Sequence, residues 1–361
     1  LKNVSGRKSD VSDCEWLRDI HTFGLLRGSF RPTAGITALR AYVRHRQTLI
    51  ETAGTFIQRM QKALLQMNIQ LPLVVSDITG VTGLAILRDI VAGNRDPELL
   101  AEHRDRRCSS SKEEIAAALT GYYKPEHLFA LQQNLELFDV IQDKIAACDR
   151  DIEAHVQTLA AKIDLPSTPI PDARTRRKPR DNEPRFEIRT PLHQLTGGID
   201  ITQIDGFSPY TALKLISEIG TDMSRWPTEK NFTSWLTLAP INKISGGRLL
   251  SSRTVSSANR AAAIFRMIAV SLGRTKTALG GFYRRMAART DKGYALTATA
   301  RKLAVLVYRV LKGEIVYKDP GADSYDSQQR TRSLRQLRKK ADALGFDLVS
   351  RQSPKPLPNP A

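Results

Sequence analysis

Cysteine is scarce in this sequence: Cys14, Cys108 and Cys148 are all that its 361 residues carry. They are widely scattered, cannot all pair and have no metal-ligand spacing. That excludes a disulfide-stapled fold and a cysteine-based zinc site, and it points to a reducing compartment. Long hydrophobic runs are missing too. No apolar stretch approaches the roughly 20 residues that span a bilayer, and no secretory signal is visible, so no membrane partner is expected. The six histidines do not cluster. There is no His-His-carboxylate triad, no Ser-His-Asp order and no phosphate-binding glycine loop. Acid is also in deficit, with 37 Asp plus Glu against 55 Lys plus Arg and a formal charge of +18. The excess favours a polyanionic partner, because each phosphate neutralised by Lys or Arg releases counterions. A merely basic protein would show the same balance.

What is present is helical rhythm. The length allows two or three domains. Ile36, Leu39, Val43, Arg46, Ile50, Ala53, Ile57, Met60, Leu64 and Met67 follow alternating steps of three and four, with Arg46 alone breaking the apolar seam. This spacing predicts a long amphipathic helix of coiled-coil type. A second stripe runs from Leu128 to Ile163, with one slip between Phe138 and Ile141. Together they predict a helical arm or a dimer interface over 35–165. Five prolines then precede Pro191, interleaved with Arg174, Arg176, Arg177, Lys178, Arg180, Arg185 and Arg189. The stretch 166–192 reads as a linker, either a solvated tether or a track for a phosphate backbone.

Residues 193–317 read as a compact helical domain. In "GGIDITQIDGFSPYTALKLISEIG" a short helix is followed by a turn at Asp205-Gly206-Phe207. Ser208 is then placed as N-cap, Pro209 at the first helical position and Gly220 at the end. The arrangement resembles a helix-hairpin-helix, whose turn amides face a DNA phosphate, although the second glycine of that motif is absent; helix packing is the other reading of Gly206. Further helices are expected at about 228–237, 259–273, 275–289 and 296–312. Beyond Lys318 the tail 318–361 is polar and basic. "TRSLRQLRKKADALGF" there is a candidate helix and "SPKPLPNPA" a candidate disordered end.

Two short motifs could carry chemistry. Asp10 and Asp13 share one face at the start of a helix, as a pair holding a hard cation or as charges complementing a helix N-terminus. Ser245 precedes Gly246-Gly247, with Arg248 and Arg253 close behind. This is a hydroxyl beside guanidinium groups suited to phosphate, or else a polar turn. Arg260, at the start of the next expected helix, is a further candidate phosphate contact.

Taken together, the segments resemble one family. "KNVSGRKSDVSDCEWLRDIHTFGLLRGSFRP" looks like the end of the catalytic domain of the insertion sequence one hundred and ten transposases. These are also called DEDD transposases or bridge-RNA-guided recombinases. "GGIDITQIDGFSPYTALKLISEIG", "FTSWLTLAPINKISGGR" and the stretch from "SSANRAAAIF" to "VYRVLKG" resemble that family's C-terminal transposase domain. The resemblance implies a mainly α chain. Residues 1–34 would be the C-terminal fragment of a RuvC-like, ribonuclease H-type α/β domain, 35–165 a coiled-coil arm and 193–317 an α-helical transposase domain with the helix-hairpin-helix-like motif. It implies Mg²⁺ held by four acids, of which Asp10 and Asp13 match the last two, and Ser245 as nucleophile. It further implies a composite site across a homodimer or homotetramer, DNA as substrate, a structured guide RNA, and a bacterial, cytoplasmic, nucleoid-associated setting. The chain opens on Leu1, after the positions of the first two acids. N-terminal truncation is therefore expected, and with it a chain unable to cleave DNA by the family route. Two other functions fit the same residues: a non-catalytic nucleic-acid-binding remnant that dimerises with intact transposase, and a repair-type helix-hairpin-helix protein.

Overall fold

A computed structural model describes residues 9–25, 29–174, 180 and 182–349. Arg176, Arg177 and Lys178 of the basic linker, and the proline-rich end at 353–361, lie outside the described residues. Among the described residues the fold is mainly α, with a single two-stranded hairpin as its sheet.

The first helix, α1 (Asp10–Thr22), is closed by a capping box in which Ser9 and Ser12 exchange hydrogen bonds. None of its residues is buried. The described part of 1–34 contains this helix and no strand of a RuvC-like sheet. Next come the two striped helices, α2 (Ala34–Gln66) and α7 (Pro125–Ala160). They pair antiparallel within the chain, so each seam buries the other. Gly35 lies against Leu159, the His155 ring meets the Gly35 carbonyl, and the Cys148 thiol reaches the Tyr42 carbonyl. At 33 residues, α2 is about 50 Å long.

A hydrophobic cluster sits at each end of this hairpin. At the far end Met60, Leu64 and Met67 pack with Leu131, Leu135 and Phe138, under a cap of short helices. These are α3 (Leu71–Val74), α4 (Val81–Ala92), α5 (Pro97–Ala101) and α6 (Lys112–Ala118). At the near end Ile36, Leu39 and Val43, with Cys148, Ile152 and Val156, join the core of the C-terminal region.

That region contains α8 (Arg189–Leu195), a 3₁₀ turn (Ile201–Gln203), α9 (Pro209–Ile219) and α10 (Glu229–Trp235). The hairpin β1 (Lys243–Ser245) and β2 (Arg248–Ser251) follows. Then come α11 (Arg260–Leu272), α12 (Ala278–Arg289), α13 (Lys292–Leu311) and α14 (Gly321–Ala343). The expected helices are present with shifted ends, and the short helix before the 205–207 turn is a single 3₁₀ turn. Phe232, Phe265 and Tyr308 are buried at the centre of the core, ringed by Trp226 and Trp235. The arm is tied to this core by charge. Arg44 of α2 holds Glu218 of α9 through two bonds of 2.8 and 2.6 Å, and Arg40 donates to the Ser217 and Glu218 carbonyls. No helix among the described residues is long and apolar enough to cross a membrane.

Candidate nucleic-acid interface

The turn into α9 is built from caps. Asp200 accepts from the Thr202 amide and opens the 3₁₀ turn. Ser208 accepts from the Thr211 amide, Pro209 occupies the first helical position, and Gly220 ends α9 at φ +73°. Between them Gly206 has φ +86°, and a β-carbon there would lie 2.4 Å from Cγ2 of Ile268 on α11. Glycine at this turn therefore serves a close approach to α11, which answers to the packing reading of the motif. Beside it the Asp205 carboxylate is buried and fully committed. Arg174 pairs with it at 2.6 Å and the Tyr317 hydroxyl donates to it at 2.6 Å. Burial, together with that carboxylate, pushes the Tyr317 phenol far above its ordinary value.

A cleft of about 600 Å³ opens beside the turn, lined in part by Arg174, Arg189, Gly206, Ser208 and Ser271. Its charge is internally balanced. Arg189 is paired with Asp200 at 2.5 Å, as Arg174 is with Asp205. Burial alone would raise the Asp200 carboxyl, but hydrogen bonds from Arg189, Thr202 and Gln203 hold it below the usual carboxylate value. These two linker arginines strap the chain to the domain and are themselves spent on its carboxylates.

The hairpin is different. Ser245 and Arg248 are cross-strand partners, as are Ile244 and Leu249, and the two-residue turn between them is Gly246 (φ +54°) and Gly247 (φ +72°). Positive φ at both central residues is the turn geometry that matches strand twist. Directly opposed residues project to the same side of a ribbon, which puts the Ser245 and Arg248 side chains on one side of this one. The ladder continues through the Ile241 amide to the Arg253 carbonyl at 3.0 Å. Both strands are exposed apart from the half-buried Ser251. From there the chain enters α11, where Asn259 caps the Ala262 amide and reaches back toward the Trp235 carbonyl. This places Arg260 at the first position of the helix.

Lys243, Arg248, Arg253 and Arg260 form no ion pair with a carboxylate among the described residues, and Arg248, Arg253 and Arg260 are exposed. Lys243 went unremarked in the sequence; its signal was its place two residues before the serine on what proves to be a strand. Unneutralised cations on an exposed ribbon beside a helix N-terminus suit phosphate oxygens.

Asp10 and Asp13 stand on the exposed first turn of α1. Among the described residues no third carboxylate, histidine or cysteine gathers with them into a metal-binding group. No hydrogen bond or ion pair among the described residues joins either acid to Ser245.

Residues 200–284 match the model of the Transposase IS116/IS110/IS902 family. The interval begins at Asp200, ends in α12, and contains Gly206, Ser245, Arg248, Arg253 and Arg260. The match supports an insertion-sequence transposase role and, with it, interaction with DNA. No curated protein matches the chain.

Proposed function

We propose that the chain acts in DNA cleavage and strand exchange for an insertion sequence, with Ser245 as nucleophile and Arg248, Arg253 and Arg260 as phosphate ligands. The observation that supports this best is the pairing of Ser245 with Arg248 across a glycine turn, on an exposed ribbon inside the interval that matches the transposase family. The Ser245 Oγ would attack the scissile phosphorus. An Oγ–P bond forms as one P–O bond to deoxyribose breaks, the departing oxygen takes up a proton, and the serine proton passes to water. The phosphoserine link conserves the bond, so a free strand-end hydroxyl can reverse the step on a new strand. Arginine neutralises the charge that builds on the phosphoryl oxygens.

Asp10 and Asp13 are the residues we assign to Mg²⁺, which when bound would polarise the phosphate. Two exposed carboxylates make an incomplete set of ligands for the ion. A structured guide RNA and a homodimer or homotetramer belong to the same proposal, the RNA reading sequence by base pairing while protein contacts fall on the backbone.

The test is a covalent adduct. The protein encoded by the whole reading frame, with any acids it supplies ahead of Leu1, is incubated with DNA from the flanks of its own gene, RNA transcribed from those flanks, and Mg²⁺, then denatured. The expected result is a protein–DNA species that survives denaturation, is sensitive to protease and is lost in Ser245→Ala, while binding of duplex DNA is retained. An adduct that persists in Ser245→Ala overturns the nucleophile. DNA binding with no adduct in the unaltered chain would favour the non-catalytic reading, which draws on the lack of any base hydrogen-bonded to Ser245 among the described residues.

A further inference from the structure

The last helix is held at one end only. Over its first turns α14 is fastened to the domain. The Asp319 carboxylate just before it accepts from the Ala278 amide at 3.0 Å, and the Ala322 amide donates to the Lys276 carbonyl at 3.0 Å. Tyr325 packs on Phe282 and under the Lys302 ammonium, and Arg285 bonds Gln329. Beyond Gln329 the helix makes no hydrogen bond or ion pair to another element among the described residues, and apart from the half-buried Ser333 and Ala341 its side chains are exposed. It nevertheless continues for fourteen more residues, to Ala343, about 20 Å at 1.5 Å per residue.

This free half is strongly cationic. Arg330, Arg332, Arg335, Arg338, Lys339 and Lys340 face one acid, Asp342. At about 100° per residue, Arg332, Arg335 and Lys339 fall within an arc of about 60°, with Leu334 and Leu337 on the opposite side. The closing cations Lys339 and Lys340 complement the carbonyl end of the helix. Arg332 and Arg335 lie too far from that end to do so, and like charges three and four residues apart oppose helix formation. The repulsion reaches the body of the domain as well. Burial, and then the nearby Arg332, hold the Lys302 ammonium below its usual value. A helix that keeps such a face in water without an acidic partner is arranged for a polyanion outside the chain.

We infer that the face Arg332, Arg335 and Lys339 of α14 docks on the phosphate backbone of double-stranded DNA. The three cations span about 10 Å along the helix axis, enough for three successive phosphates at about 3.4 Å of axial rise per strand. DNA is favoured over another polyanion because α14 is mounted on α12, whose first turns close the interval matching the transposase family. The inference thus rests on the DNA-handling reading given above.

The experiment measures salt dependence. The full chain is titrated onto a duplex DNA of arbitrary sequence of about 30 bp, comfortably longer than a three-phosphate contact, by fluorescence anisotropy over a series of KCl concentrations. The variant Arg332→Gln/Arg335→Gln/Lys339→Gln is compared with Arg332→Lys/Arg335→Lys, and circular dichroism confirms helix content in each. Glutamine is a good helix former, so the fold should be kept. The slope of log K against log salt is expected to shrink by about 2.7 in the glutamine variant, at roughly 0.9 per phosphate contact, and to be kept in the lysine variant. An unchanged slope in the glutamine variant overturns this inference alone. Absence of duplex binding by the unaltered chain overturns the DNA-handling reading with it. An equal or greater loss on a duplex RNA of the same length, with none on DNA, also overturns the assignment.

Discussion

Arg46 of α2, only 2 % exposed, forms a two-pronged ion pair with Asp149 of α7, its Nη2 lying 3.1 Å from Oδ2. The same guanidinium donates to the Asn182 carbonyl at 2.9 Å and to the Tyr210 hydroxyl at 3.0 Å, and lies over the Tyr210 ring. The one polar residue in an otherwise apolar seam is thus the joint at which both arm helices, the linker and α9 meet. Its register value is plain, since a slip of either helix would strand a buried charge.

Breaking this joint from one side should be costly. Asp149→Ala leaves the Arg46 charge buried with two neutral acceptors, and we expect a loss of about 2–4 kcal/mol in urea unfolding, below the full cost of a dry pair because Asp149 is partly exposed. Arg46→Met with Asp149→Leu should recover most of that loss. A single variant as stable as the unaltered chain would show that the pair holds nothing.

Gly206 is expected to be intolerant for a packing reason. Gly206→Ala sets a methyl 2.4 Å from Ile268 at a positive φ, which should cost about 1–3 kcal/mol. Ile268→Ala in the same chain should then be less damaging than in the native background, because the new methyl occupies part of the space. Additive losses in the double-mutant cycle would refute this account of the turn.

At the hairpin, stability and activity should separate. Gly247→Val places a β-branched residue at φ +72°. Because the strands bury almost nothing, unfolding free energy should move by no more than about 0.5 kcal/mol. Adduct formation should fall by at least roughly tenfold, since Ser245 loses its station opposite Arg248. Gly246→Asn, which such turns accept, should behave like the unaltered chain.

The Asp200–Arg189 pair carries a pH signature. The Asp200 carboxyl is lower in the folded chain than its ordinary value of about 3.9. Its contribution to stability is therefore fully present above that value and is lost as pH falls through the folded one. Urea unfolding of the unaltered chain and of Asp200→Asn between about pH 6 and 3 should give curves that converge toward the acid end. Parallel curves would show that the pair adds no pH dependence.

The helices of this protein were legible in its residues because their signals are local. Seams at steps of three and four, Ser208-Pro209 before α9, Asn259 before α11 and Gly220 after α9 act through bonds that span a turn or less, and the structure places helices where they fall. Ser245 and its glycines were legible as a turn but not as a ribbon. Strand pairing joins Lys243 to Ser251 across the chain, and β1 and β2 are too short to show an alternating pattern.

Other features came only from tertiary packing. The two seams could have met in another subunit, and the choice of each other depends on the reach of 71–123 folding as a cap that returns the chain. Gly206 could have served a phosphate or a helix, and the approach of Ile268, sixty-two residues away, supplies a packing reason for glycine there. Arg174 and Arg189 read as a free basic run until Asp205 and Asp200 are brought against them, whereas Arg248, Arg253, Arg260 and the cations in the far half of α14 have no ion pair among the described residues. Sequence by itself determined how much positive charge this protein carries and where its helices begin. Which of those charges are spent inside the fold, and which are left for a partner, was decided by long-range contacts, because neutralisation depends on distance in space and not on distance along the chain.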